Sequence, residues 1–326
     1  MNSLAAGVSY LDLNFQGTPR IIATAVLQGP GGVALIDPGP SSTLPTLRRE
    51  LGRSGISIGD VTALVLTHIH LDHAGASGTL VRERPGLQVY VHEKGAPHMI
   101  DPERLLASAT RLYGNAMDRL WGEVRAVPPD AIVALAGGER LEVGGCELQV
   151  AYTPGHASHH VSYYNADTGI AFVGDTAGIK MTPGGYVLPP TPPPDIDLEI
   201  WDASLGRIEA WHPRTMMLTH YGPAAPCGTI TRPPAHASPR TSATAPAMAS
   251  AALPAPTTST GPACSASGAP LRPRSRSAPP ARSRLGATSR PGSTAARAAA
   301  WQASASARSA AQLTRAPLDG RGGRPL

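Results

Sequence analysis

Val61-Thr62-Ala63-Leu64-Val65-Leu66-Thr67-His68-Ile69-His70-Leu71-Asp72-His73 decides how this 326-residue chain is read. The run from Val61 to Leu66 is apolar and β-branched enough to read as a buried strand. Where it ends, three imidazoles and one carboxylate fall within six residues, and Ala74-Gly75 follows. Loops at the C-terminal ends of strands are where layered α/β folds commonly place their chemistry. Imidazole nitrogen and carboxylate oxygen are the donors that suit Zn²⁺ and related divalent ions. A lone histidine is ordinarily a satisfied core or surface residue, but four donors at this spacing point to metal.

The pattern recurs down the chain. Thr153-Pro154-Gly155-His156 supplies an imidazole after the apolar run Leu148 to Tyr152. Ala171-Phe172-Val173-Gly174-Asp175 is a short buried strand ending in a carboxylate, and Met216-Met217-Leu218-Thr219-His220 ends in another imidazole. Four separate strand ends thus each deliver a metal donor, which chance produces less readily than any single motif.

These residues resemble the metallo-β-lactamase superfamily, over roughly residues 7 to 222. The family pattern is a His-x-His-x-Asp-His cluster, then a later His, an Asp and a final His, and all seven positions are present in order. The resemblance implies an α/β fold, a four-layer αββα sandwich with two metals at one edge. It implies that His68, His70 and His156 bind one ion, that Asp72, His73 and His220 bind the other, and that Asp175 bridges them. It makes Asp72 and Asp175 the catalytic carboxylates, which balance metal charge and orient the nucleophile. Flavodiiron-type members carry Glu where this chain has His70, which disfavours oxygen reduction. Many true β-lactamases lack an Asp at the position of Asp175, which favours a glyoxalase II or lactonase style of site. Thr153 to His160 resembles the glyoxalase II segment with two spaced histidines, with His160 behind the ligands. Runs such as Gly174-Asp175-Thr176-Ala177-Gly178 and Pro192-Pro193-Pro194-Asp195 are similar to those of bacterial hydrolases of this fold, and fix no substrate.

Two adjacent divalent ions can hold a bridging hydroxide at neutral pH, because a metal lowers the pKa of bound water from about 15.7 to roughly 7. Zn²⁺ leads the expectation, and a His/Asp set without thiolate also admits Fe²⁺ or Mn²⁺. The function expected is dinuclear hydrolysis of a small ester, thioester or lactone. The alternatives are a phosphodiesterase or nuclease on the same site, a mononuclear iron persulfide dioxygenase, or a non-catalytic domain whose basic tail binds nucleic acid. The weaker candidates for substrate contact are His159, His160, Lys180 and Tyr221. Lys180, one of two lysines with Lys94, could hold an anionic group, and Tyr221 could hydrogen-bond substrate or simply pack. His92, at the end of Val89-Tyr90-Val91, reads as structural.

Tyr10 to Leu13, Ile21 to Leu27 and Val33 to Asp37 read as strands, with Gly29-Pro30-Gly31-Gly32 as a hairpin turn. Ser41-Ser42 can cap a helix that buries Leu44, Leu47 and Leu51. A further helix is expected from about residues 75 to 84 and a strand from Gln88 to His92. This alternation fits α/β layers. Residues 101 to 125 carry Leu105, Leu106, Ala109, Leu112, Leu120 and Trp121 at helical period, and predict one or two helices; the resemblance implies an insertion that roofs the site, the alternative being an ordinary packing pair. Gly184 to Pro194 is too rich in Pro and Gly for a central strand and predicts an edge loop, with Tyr186 and Leu188 as pocket walls. Leu198, Trp201, Leu205 and Ile208 predict a helix over 197–211.

Composition divides the chain into a domain over 1–222 and a tail over 223–326. The tail has 13 Arg against one acid, Asp319, while the whole chain has 28 basic and 23 acidic residues; the basic net charge of +5 therefore belongs to the tail, and the domain is acidic. Low-complexity Ala/Pro/Ser/Arg sequence cannot bury enough apolar surface to offset ordering entropy, which predicts disorder. Two origins stay open for it: an Arg-rich arm for nucleic acid or an acidic surface, or translation of GC-rich DNA in a shifted frame. Cys146, Cys227 and Cys264 have no CxxC spacing, so no disulfide framework is expected, which fits a reducing cytoplasm. No signal peptide or membrane span is expected. The expected partner is a small-molecule substrate, with nucleic acid only through the tail and the oligomeric state open.

Overall fold

The computed structural model describes residues 1–180, 187–190 and 196–226. The tail beyond Pro226, and Tyr186 as a pocket wall, lie outside the described residues.

The first sheet has seven strands in sequence order: β1 (Asn2–Ala5), β2 (Val8–Asp12), β3 (Ala23–Gly29), β4 (Gly32–Ile36), β5 (Val61–Val65), β6 (Gln88–His92) and β7 (Ile132–Leu135). β1 to β4 are antiparallel neighbours, and β3 and β4 close a hairpin with Gly29 opposite Gly32. From β4 onward the pairing is parallel. Parallel neighbours require crossovers, and helices supply them: α1 (Leu44–Gly52) after β4, α2 (Leu71–Ala74) and α3 (Ser77–Glu83) after β5, and α4 (Ala96–Ile100), α5 (Glu103–Tyr113) and α6 (Met117–Trp121) after β6.

The second sheet holds β8 (Arg140–Val143), β9 (Cys146–Tyr152), β10 (Val161–Asn165), β11 (Ile170–Gly174), β14 (Thr215–Leu218) and β15 (Gly222–Ala224), in the order β15-β14-β11-β10-β9-β8. β12 (Ile179–Lys180) and β13 (Val187–Leu188) form a separate two-stranded ribbon, and α7 (Leu198–Glu209) precedes β14. Of the Pro/Gly-rich segment, the described residues 187–190 contribute β13 of this ribbon and no strand of either large sheet. The fold continues two residues beyond the expected limit at 222, because Pro223 and Ala224 pair with Met217 and Met216.

Alternation along the strands explains the layers. Ala23, Ala25, Leu27, Ala34 and Ile36 face Leu148, Val150, Val161, Tyr163 and Phe172 in a core between the sheets. Val26, Val33, Leu35 and Leu64 turn to the other side and pack with Leu44, Leu47 and Leu51 of α1 and Leu80 of α3. On the far face of the second sheet, Ala171, Val173, Met216 and Leu218 pack with Ile208 of α7. The result is the four-layer α/β/β/α arrangement.

Ser41 and Ser42 do not cap α1. They sit in a 3₁₀ turn, where Ser41 Oγ donates to Gly75 O at 3.1 Å and Ser42 Oγ donates to Leu120 O at 2.6 Å. Tertiary acceptors outcompete the local cap, and the turn ties α2 to α6. No helix among the described residues is long and apolar enough to cross a membrane.

Candidate metal centre

All seven expected donors converge at one edge of the sandwich, because each follows the C-terminal end of a strand pointing there. His68 and His70 follow β5, with Asp72 and His73 in the single turn of α2; His156 follows β9, Asp175 follows β11 and His220 follows β14. They form overlapping groups with donor atoms mutually within 4.8 Å: His68, His70 and His156; His68, His73 and Asp175; and Asp72, His73 and His220.

In the first group, His70 Nδ1 lies 2.9 Å from His68 Nε2 and 3.1 Å from His156 Nε2. In the second, His220 Nε2 lies 3.2 Å from both His73 Nε2 and Asp72 Oδ2. Asp175 stands between them, with Oδ2 at 3.5 Å from His156 Nε2 and Oδ1 at 3.5 Å from His73 Nε2 and 3.8 Å from His220 Nε2. A tetrahedral ion with metal–nitrogen bonds of about 2.0–2.1 Å sets its donors roughly 3.3 Å apart. A single N–H on His70 Nδ1 cannot satisfy two facing imidazole nitrogens, so the first group is explained better as edges of a coordination shell than as hydrogen bonds. Among the described residues Asp175 Oδ1 is also buried without a hydrogen-bond partner, a costly state for a carboxylate oxygen that a cation would relieve. The residues therefore fit a pair of divalent ions.

The outer nitrogens of the imidazoles are held by the protein, as ligating histidines require. His156 Nδ1 donates to Pro190 O at 3.0 Å, and His220 Nδ1 donates to Ile21 O at 2.7 Å. His73 Nδ1 donates to Asp37 Oδ2 at 2.8 Å. His68 Nδ1 lies 3.1 Å from Thr67 Oγ1.

Asp37 is the residue that sequence reasoning missed. It is wholly buried at the end of β4. Its Oδ1 accepts from Thr67 N at 2.8 Å, and its Oδ2 accepts from Thr67 Oγ1 at 2.7 Å, Thr219 Oγ1 at 2.8 Å and His73 Nδ1. One carboxylate thereby fixes the loops after β5 and β14 and the ring of His73. The signal was available: Val33 to Ile36 followed by Asp37 repeats the pattern of an apolar strand ending in a donor.

The electrostatics follow from burial and charge. Burial and the neighbouring imidazoles hold His68 and His70 well below the usual histidine range, so both are neutral and able to coordinate. Burial alone would lower His73, but Asp175, Asp37 and Asp72 outweigh it and push it up to about 10. His220 is raised in the same way by Asp175 and Asp72. Burial opposes ionisation of Asp72, yet His73 and His220 hold its carboxyl far below the ordinary range. The Asp72 and His220 side chains are 18% and 13% exposed, against 7% for Asp175 and 1% or less for His73 and His156; His70 is likewise partly exposed, so the centre meets solvent along His70, Asp72 and His220.

The weaker candidates are mostly engaged inside the protein. His160 is buried behind the ligands; its Nδ1 is 3.0 Å from both Thr153 Oγ1 and Thr176 Oγ1, and its Nε2 accepts from Asp175 N at 3.3 Å. It holds the Asp175 turn and faces no substrate space. Gly174 permits this, since a Cβ there (φ +48°) would lie 2.5 Å from Thr67 Oγ1 and 2.6 Å from His160 Nε2. Lys180 N donates to His220 O at 2.5 Å and its Nζ donates to Pro223 O at 2.7 Å, so it braces the His220 loop. Tyr221 OH donates to Asp12 Oδ2 at 3.2 Å, and its ring packs edge-on against Tyr10 and beneath the Arg20 guanidinium. His159 lies beside the site, its ring parallel to His68 at 6.1 Å and edge-on to His70 at 5.7 Å; burial and its histidine neighbours lower it to about 3. His92 is buried and stacked on Tyr152 at 4.2 Å, a structural placement.

Trp201 of α7 braces the other side: its Nε1 donates to Thr176 O at 2.6 Å and its ring stands edge-on to His156 at 5.9 Å. Gly155 (φ +132°) makes room, as a Cβ would meet Trp201 Cα at 2.4 Å.

Comparison with known proteins agrees with this geometry. The profile described as "Metallo-beta-lactamase superfamily" matches residues 17–220. A metallo-beta-lactamase fold-containing protein of Sulfurisphaera tokodaii is 29% identical over 64% of this chain and 76% of its own length. A hydroxyacylglutathione hydrolase of a Synechococcus species is 28% identical over 44% of this chain, which spans only 43% of that protein. The crystal structure of a metallo-beta-lactamase family protein from Thermus thermophilus superposes with a TM-score of 0.57 at 29% identity, covering 71% of this chain and 78% of that one. With 204 consecutive residues under the profile and two sheets bringing its histidines and aspartates together at one edge, the chain belongs to the metallo-β-lactamase superfamily of metallo-hydrolases.

Proposed function

We propose that this protein is a dinuclear hydrolase of small esters, thioesters or lactones, with zinc as its metal. The observation that carries the reading is the position of Asp175, whose two oxygens reach toward different histidine groups. His68, His70 and His156 would hold one ion, Asp72, His73 and His220 the other, and Asp175 both. Such ions, when bound, supply Lewis acidity and a water acidified to near neutrality.

The chain's own residues do the rest. Asp37, Pro190 O and Ile21 O fix the ring orientations of His73, His156 and His220, so the donors need no reorganisation. The buried His68, His73 and His156 exclude bulk water from the inner face of the centre, which strengthens electrostatic interactions there. Asp72, ionised and partly exposed, would balance metal charge on the solvent side of the centre. The similarity to hydroxyacylglutathione hydrolases supports a thioester among the candidate substrates, within the less than half of those proteins that the chain spans.

The test is turnover by the zinc-loaded full chain of S-lactoylglutathione, p-nitrophenyl acetate, a γ-lactone and bis(p-nitrophenyl) phosphate. Chelator-sensitive hydrolysis of an acyl substrate exceeding that of the phosphodiester is expected. Preference for the phosphodiester, or turnover indifferent to chelation, refutes the reading.

A further inference from the structure

Lys94 stands outside the seven donors but at the same edge of the sandwich. It follows β6, which runs parallel to β5, so the loops after both strands emerge side by side. Gly95, the next residue, packs onto the first ligand loop: a Cβ there would lie 2.8 Å from Ile69 Cγ2, and Ile69 stands between His68 and His70. The lysine side chain reaches a second ligand loop. Its Nζ donates to Tyr152 OH at 2.8 Å, and Tyr152 OH donates to Ser158 O at 2.8 Å. That carbonyl belongs to the peptide bond leading into His159, whose ring lies against His68 and His70.

The ammonium is therefore held in place. The Tyr152 ring stacks on the buried ring of His92 at 4.2 Å, and His92 Nδ1 accepts from Lys94 N at 3.2 Å. The single proton of the Tyr152 hydroxyl goes to Ser158 O, so it meets Lys94 as an acceptor and takes one of three ammonium N–H groups. Bracing the loops needs only that one N–H, which a neutral side chain could supply. The positive charge is left over: Lys94 is exposed, and among the described residues no carboxylate pairs with its amine. Arg48, Arg53, Arg125 and Arg140, by contrast, each pair with a glutamate, and the amine of Lys180 is engaged by Pro223 O. A positioned, unpaired cation beside the ligand loops of an acidic domain is a ready counter-charge for an anion, and its fixed geometry lowers the entropic cost of binding one.

Resting on the hydrolase reading above, we propose that Lys94 is a specificity-determining residue that binds a carboxylate carried by the substrate away from its scissile carbonyl. The substrate class is then a carboxylate-bearing ester or thioester. One ammonium balances one such group. The Gly95–Ile69 contact ties the lysine to the loop of His68 and His70, and the Tyr152–Ser158 clamp ties it to the loop of His156. The spacing between carboxylate and scissile carbonyl is thus set by the loops that carry those three donors.

The experiment compares the zinc-loaded full chain with Lys94→Gln, which keeps an N–H for Tyr152 and removes the charge, with Lys94→Arg, which keeps the charge, and with Arg82→Gln, an exposed charge change on α3. Two pairs of esters each differ by one carboxylate. Mono-p-nitrophenyl adipate against p-nitrophenyl hexanoate carries it on the acyl side, and 4-acetoxybenzoate against phenyl acetate carries it on the leaving group. The matching anilides, adipic acid monoanilide against hexananilide and 4-acetamidobenzoate against acetanilide, are not turned over on the assay timescale, and their Kd values are read by calorimetric titration. A positioned charge pair at a partly exposed site strengthens binding by about 5–10-fold, between an exposed pair and a buried charge-assisted hydrogen bond. Wild type therefore favours the carboxylate-bearing member of at least one pair by that factor, in Kd and in KM, with kcat little changed. Lys94→Gln loses the preference and leaves the neutral members unaffected, Lys94→Arg retains most of it, and Arg82→Gln behaves as wild type. Zinc content and Tm stay unchanged in Lys94→Gln. No preference in either pair overturns the proposal, as does a preference that survives in Lys94→Gln, since the ions themselves would then hold the carboxylate. A loss of zinc or Tm in Lys94→Gln also overturns it, because the charge would then be a support of the fold. Should the anilide titrations show the Lys94-dependent preference while no ester is hydrolysed, the carboxylate subsite stands and the hydrolase reading falls.

Discussion

Replacing Asp37 by Asn changes one atom and sets a contradiction inside the centre. The carboxylate accepts from four donors, Thr67 N on Oδ1 and Thr67 Oγ1, Thr219 Oγ1 and His73 Nδ1 on Oδ2. An amide has one acceptor oxygen. If that oxygen faces His73, the NH₂ meets Thr67 N–H; if it faces Thr67 N, the NH₂ meets His73 Nδ1–H. The hydroxyls can rotate and accept, but the two N–H groups cannot, so either orientation leaves one donor against another. Loss of a hydrogen bond to a charged acceptor costs about 1.5–3 kcal/mol, and removal of a partner behind a ligating histidine costs about 10–100-fold in metal affinity. Asp37→Asn is therefore expected to weaken the ion at Asp72, His73 and His220 by about 10–100-fold. The ion at His68, His70 and His156 is disturbed less, since it is reached only through Thr67 Oγ1 and His68 Nδ1. Competitive zinc titration against a chromophoric chelator resolves the two steps. Two affinities within about threefold of wild type would refute the reasoning, because the hydrogen bonds behind His73 would then carry no weight.

Three further outcomes follow from the same geometry. Gly174→Ala combines a positive φ with contacts near 2.5 Å, and overpacking of this kind costs about 1–3 kcal/mol; calorimetry should show Tm lower by about 2–12 °C, and an unchanged Tm would mean the Thr67–His160 contact yields freely. His160→Ala removes the acceptor for Asp175 N and should lower zinc affinity about tenfold or more, whereas unchanged zinc binding would show that the Asp175 turn holds itself. The third concerns pH: with a folded pKa near 10 against about 6.5 unfolded, protonated His73 stabilises the chelated protein fully below about pH 6.5, and this is lost as pH rises through about 10. Between pH 7 and 9 the Tm of chelated protein should fall while that of zinc-loaded protein stays flatter, since coordination replaces the proton; parallel curves would contradict this.

The convergence of the candidate donors was legible because each is written locally. Each donor is the first polar group after a short apolar strand, so period and composition alone locate His68, His156, Asp175 and His220, and the fold gathers strand ends at one edge. Asp37 obeys the same rule and was passed over, because a single aspartate after a strand also reads as a turn residue. Its role depends on partners 30 and 182 residues away, which no local pattern contains. The same distance effect misled the reading of Ser41 and Ser42: their hydroxyls suit a helix cap, but the acceptors 34 and 78 residues away claim them. Lys180 and Tyr221 looked like free polar groups near a ligand until the fold supplied Pro223 O and Asp12 as their partners.

The central claim is that these seven side chains form one dinuclear centre. Its most direct test is metal content per chain, by elemental analysis of the full-length protein equilibrated with zinc and freed of excess. Two ions per chain, falling to one or fewer in Asp175→Ala, is the predicted result. One ion per chain in wild type, or two that persist when Asp175 is removed, would contradict the account.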